Sequence, residues 1–78
     1  MNKLDVLNVL SRAGELDAAS ISQRLNGTPE ATGMMLLRQV RDGLVMREID
    51  RGLFVYSLTP KGEARRVYLN ARERELAG

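Results

Sequence analysis

The 78-residue sequence contains no cysteine, no histidine and no tryptophan, and its aromatics are two tyrosines and one phenylalanine. Without cysteine there is no disulfide, no thiolate nucleophile and no cysteine-ligated zinc. Without histidine, the Ser-His and Cys-His pairs of nucleophilic catalysis are gone as well. No stretch approaches the ~20 apolar residues that a membrane-spanning helix needs, and "MNKLDVLNVL" is too interrupted an apolar run for a signal peptide. These absences set the expectation of a cytoplasmic protein with no metal, no cofactor and no membrane partner. So few aromatics also leave little wall for an effector pocket of ordinary size.

What remains is foldable: 44% hydrophobic and 28% charged residues, with both signs spread along the chain. One domain, residues 1–78, is expected, near the size where dimerisation assists a small core. Asn2 is placed to cap a helix striped by Leu4, Leu7 and Leu10 that exits at Ala13-Gly14. Glu15-Leu16-Asp17 reads as a short extended link, with Asp17 capping a second helix that carries Ala18, Ile21 and Leu25 and ends at Asn26-Gly27. Thr28-Pro29 then starts a third helix, because the hydroxyl satisfies an orphan amide and proline needs no donor at the first helical position. Its inward line reads as Gly33, Leu36, Leu37 and Val40, leaving Thr32, Met35, Arg38, Gln39 and Arg41 nearer solvent, and Gly43 closes it.

Beyond Gly43 the period becomes extended. Leu44 to Ile49 and Leu53 to Leu58 read as two strands around a three-residue loop, Asp50-Arg51-Gly52. Pairing Ile49 with Leu53 puts Leu44, Met46, Phe54, Tyr56 and Leu58 on one face and Val45, Arg47, Ile49, Val55 and Ser57 on the other. Thr59-Pro60 starts a last helix running toward Leu76, with Ala64, Val67, Tyr68 and Ala71 on one face. The layout is a three-helix core (residues 1–43), a two-stranded hairpin (44–58) and a C-terminal helical segment (59–78), an α+β, mainly α architecture.

That order of elements is the order of a winged helix-turn-helix domain with the hairpin as wing. The run Leu58-Thr59-Pro60-Lys61-Gly62 resembles the "LTPKG" segment of MarR-like and PadR-like transcriptional regulators, and "DGLV", Asp42 to Val45, resembles their helix-to-wing junction. The resemblance implies a DNA-binding regulator, with the third helix (29–42) in the major groove and the wing on the backbone, acting as a dimer on double-stranded DNA. It carries over to Thr32, Met35, Arg38, Gln39 and Arg41 on the helix, to Arg47 and Arg51 on the wing, and to Thr28 with the first helical amides as a phosphate site.

Charge argues the other way. Up to Leu58 seven Lys/Arg balance seven Asp/Glu, so the net +2 sits entirely after Thr59. A few unopposed arginines neutralise few phosphates. The second reading is therefore a winged helix that contacts protein, as an interaction module or small subunit of a larger assembly with little DNA affinity. Val45, Ile49, Leu53 and Val55 on the wing, with Tyr68, Leu69 and Leu76 on the last helix, are its candidate surface. An enzyme is not expected. There is no carboxylate cluster or phosphate loop, Glu15 and Asp17 suit caps, and Gly14, Gly27, Gly43 and Gly52 fall at turns.

Overall fold

Asn2 opens the first helix with both halves of a capping box in the computed structural model. Its side chain accepts from the Asp5 amide and the Asp5 carboxylate accepts from the Asn2 amide, each at 2.9 Å. The structure describes residues 1–77; Gly78, the end of the expected C-terminal segment, lies outside the described residues. The elements are α1 (Lys3–Ala13), β1 (Leu16–Asp17), α2 (Ala18–Arg24), α3 (Pro29–Arg41), β2 (Val45–Asp50), β3 (Leu53–Leu58) and α4 (Pro60–Ala77). Local chemistry explains each boundary. Gly14 ends α1 at φ +83°, Asp17 caps α2 through the Ser20 amide at 2.7 Å, and Thr28 caps α3 through the Ala31 amide at 3.1 Å. Hydrogen bonds from Ser20, side chain and amide, favour the ionised Asp17 carboxyl and hold its pKa below the ordinary value.

The core gathers Val6, Leu7 and Leu10 from α1, Ile21 from α2, Leu36 from α3, Leu44 and Val45 at the start of the wing, and Tyr56 from β3. Burying side chains of this size stabilises by roughly 1.5 to 3 kcal/mol each. α4 packs along α1 through Leu69 and a pair of amide hydrogen bonds between Asn8 and Asn70, at 3.0 and 3.4 Å. The face of α4 that carries Ala64, Val67, Tyr68 and Ala71 is turned outward, and all four residues are exposed.

The sheet departs from expectation in two ways. It has three strands in the order β1-β3-β2, because the Leu16-Asp17 link pairs antiparallel with Tyr56 and Val55 and satisfies the far edge of β3. The hairpin register is also shifted by one, with Asp50 opposite Leu53 and Ile49 opposite Phe54. The loop is then only Arg51-Gly52, both at positive φ (+53° and +82°), the backbone of a type I′ turn whose twist matches the strands. A one-residue slip reverses every side chain of one strand relative to the other. Val45, Arg47 and Ile49 consequently share a face with Phe54, Tyr56 and Leu58, and Val55 and Leu53 lie on the opposite face with Met46. The four-residue apolar wing surface does not exist as one face: Val45 is sealed in the core, while Ile49 and Leu53 point to opposite sides.

Candidate nucleic-acid interface

α3 carries most of the residues expected to meet DNA, and its orientation differs from the hydropathy reading. Thr32, Leu36 and Gln39, at spacings of four and three, are fully buried, and Met35 and Val40 flank them half-buried against the core. Gly33, Met34, Leu37, Arg38 and Arg41 face solvent. The helix is thus rotated by about one residue, or about 100°, from the inward line Gly33-Leu36-Leu37-Val40. The cause is side-chain chemistry. Gln39 reaches across to donate from Nε2 to the Lys3 carbonyl at 3.1 Å, and the Thr32 hydroxyl packs on the Met1 sulfur at 3.9 Å. Thr32 and Gln39 therefore do not face solvent, and Met35 does so only in part.

All four arginines expected to meet DNA are exposed: Arg38 and Arg41 on α3, Arg47 on β2 and Arg51 at the wing tip. Among the described residues the one ion pair within 4.0 Å joins Arg66 to Glu63, so these four carry uncompensated guanidinium groups. Arg47 lies over the Phe54 ring, 4.3 Å from its centroid, a stack that aligns its planar donors beside the wing. At the start of α3, the Thr28 hydroxyl accepts from the Ala31 amide and keeps its own O–H to donate, and Pro29 has no amide to offer. The first turn thus offers an anion the Thr28 hydroxyl proton and the Glu30 amide, and the Glu30 carboxylate opposes it.

The two short motifs of the sequence meet in space. Thr59 donates from Oγ1 to the Gly43 carbonyl at 2.6 Å and caps α4 by accepting from the Gly62 amide at 3.0 Å. Lys61 donates from Nζ to the Asp42 carbonyl at 2.8 Å, and the Thr59 amide donates to the Leu44 carbonyl at 3.1 Å. "LTPKG" is a clasp on "DGLV" that fixes the end of α3 against both the wing and α4. Gly33 and Leu37, expected to face inward, instead line the solvent face with Met34, and Gly62, read only as part of "LTPKG", makes a close backbone contact that the sequence did not announce. For Gly33 a signal existed, since a glycine inside a well-capped helix needs a reason.

Among the candidate partner residues, Tyr68 and Leu76 are exposed while Leu69 packs on the core. Tyr68 lies between Arg65 and Arg72; a hydrogen bond from Arg72 to its hydroxyl at 3.2 Å lowers its pKa. Among the described residues no helix is long and apolar enough to cross a membrane, and no group of three or more His, Cys, Asp or Glu is placed to hold a metal ion.

This geometry is shared with solved structures of known proteins. YusO from Bacillus subtilis is 29% identical over 96% of this chain and 56% of its own, with a TM-score of 0.86. A MarR family protein from Bacillus stearothermophilus is 28% identical over 96% and 54%, with a TM-score of 0.83. The PcaV transcriptional regulator from Streptomyces coelicolor superposes with a TM-score of 0.91 over 96% and 55% at 22% identity. The chain has a MarR-like winged helix-turn-helix fold and spans about half the length of the structures it matches. No protein-family model matches the sequence, and no curated protein does.

Proposed function

We propose that this chain is the DNA-binding unit of a transcriptional regulator and not an enzyme, with α3 lying in the major groove and the wing tip on the phosphate backbone of double-stranded DNA. The observation that carries the reading is the outer face of α3, where Arg38 and Arg41 stand exposed without carboxylate partners on a fold shared with MarR-family proteins. Arginine at such positions grips guanine edges or phosphates, and Arg51 at the wing tip is sited for the backbone. Contacts from a single copy are few, so a homodimer on adjacent half-sites is part of the proposal; Val67 and Tyr68 on the outer side of α4, with Leu76 exposed near its end, are its surface.

The test is fluorescence anisotropy of a labelled random-sequence duplex titrated across a salt series. DNA binding predicts an affinity that falls steeply with salt, with a slope of several released counterions. Absence of binding at low ionic strength overturns the reading. It would favour a protein-contact module, a second reading supported by the neutral charge of residues 1–58 and the exposed Ile49 and Leu53 of the wing.

A further inference from the structure

Gly33 is the residue of α3 that the fold leaves unexplained. It sits inside a 13-residue helix, where glycine is weaker than alanine because it gives up more backbone freedom. Its φ is not in the left-handed region, and a Cβ added there would meet nothing within 4 Å. Backbone geometry and internal packing are both satisfied by alanine, so the reason for a bare backbone lies outside the chain. The neighbours on that face are Met34, 59% exposed, and Leu37, 51% exposed, so the middle of the outward strip is apolar and has a shallow gap at Gly33. Glu30 and Arg41 stand at its two ends and Arg38 beside it, on positions that line up at helical spacing.

Resting on the DNA reading of α3, we infer that Gly33, Met34 and Leu37 form a close-contact surface that reads thymine methyl groups in the major groove. The thymine C5-methyl is the apolar group presented on a major-groove edge, and it is what an aliphatic strip without hydrogen-bonding groups complements. Two uncharged polar side chains of this helix, Gln39, which could have read adenine, and Thr32, are buried. Flanking by Arg38 and Arg41, uncompensated cations, matches a polyanion better than an apolar protein surface. The bare backbone at Gly33 lets the groove edge approach more closely than any side chain would allow.

The experiment uses the full chain and a duplex selected by it from a random-sequence pool. Thymines of that duplex are replaced one at a time by deoxyuridine, which removes only the methyl, and Gly33→Ala and Leu37→Ala are compared with the parent. The inference predicts a loss of about fourfold in affinity for each contacted methyl removed. Leu37→Ala should erase part of that discrimination. Gly33→Ala should raise the melting temperature and yet weaken DNA binding by about tenfold, two effects of opposite sign that a structural glycine would not show. If the selected duplex binds but deoxyuridine and Gly33→Ala each change affinity by less than about twofold, the inference is overturned and the DNA reading stands. If no duplex is bound even at low salt, both are overturned.

Discussion

The backbone of Gly62 in α4 lies against the carbonyl of Leu44, so closely that a Cβ on Gly62 would clash with that oxygen. The same carbonyl accepts the Thr59 amide, while the Leu44 amide donates to the Gln39 carbonyl at 2.9 Å. Leu44 is thereby held at both ends, between the last turn of α3 and the first turn of α4. The glycine of "LTPKG" is present for contact, since nothing about its φ requires it.

Gly62→Ala should therefore destabilise the chain by roughly 2 to 3 kcal/mol, because the obstructing atom is backbone and cannot rotate away. Urea unfolding followed by circular dichroism checks this: the midpoint should fall with the slope unchanged.

Gln39→Met should be tolerated. The native side chain makes one hydrogen bond to Lys3, but its Oε1 is buried without a partner among the described residues. Replacing the amide with an apolar side chain of similar size removes both, and stability should change by no more than about 1 kcal/mol in either direction. Affinity for a selected duplex should also be preserved. A large loss of affinity with stability intact would restore Gln39 as a base reader.

Arg51 holds φ +53° at the wing tip, a conformation that asparagine tolerates and arginine does not favour, and Asn-Gly is the preferred pair for this turn. Arg51→Asn should stabilise the hairpin by about 0.5 kcal/mol while removing a phosphate contact, so the salt slope of DNA binding should fall by about one. Thermal melts and the salt series measure the two halves independently.

Arg38→Ala and Arg41→Ala should each leave stability within about 0.5 kcal/mol, since both side chains are solvent-exposed. Each should weaken duplex binding. If a given arginine contacts phosphate, its loss lowers the salt slope by about one and weakens all sequences alike; if it reads a base, the loss is confined to the preferred sequence.

Stability should be flat from neutral pH downward until the carboxylates protonate. Asp17 is held below its ordinary pKa by Ser20, and Glu63 by hydrogen bonds from Arg66, whose Nε donates at 2.9 Å. A folded pKa below the unfolded one means that these contributions are complete above the unfolded values, near 4. They are lost as pH falls through the folded values. Melting temperatures should hold between pH 6 and 8 and decline below about pH 4.5. Asp17→Asn, which keeps an acceptor at the cap, should make that acid decline shallower.

The sequence by itself determined the ends of the helices. Asn2 with Asp5, Asp17, Thr28-Pro29, Gly14, Gly43 and Thr59-Pro60 each satisfy or redirect backbone groups within a few residues, so nothing distant is needed to read them. Tertiary structure decided which way those elements face. Hydropathy put Gly33, Leu36, Leu37 and Val40 inward on α3, and the observed face of Thr32, Leu36 and Gln39 goes with Gln39 meeting Lys3, 36 residues away, and with Gly33 having no side chain to bury. The hairpin register depended on a two-residue turn that accepts arginine at positive φ, and the third strand on an edge of β3 that only folding creates. Caps are local hydrogen bonds. Helix rotation, strand register and the clasp of Gly62 on Leu44 are contests between surfaces assembled from remote segments, and hydropathy along the chain does not rank them.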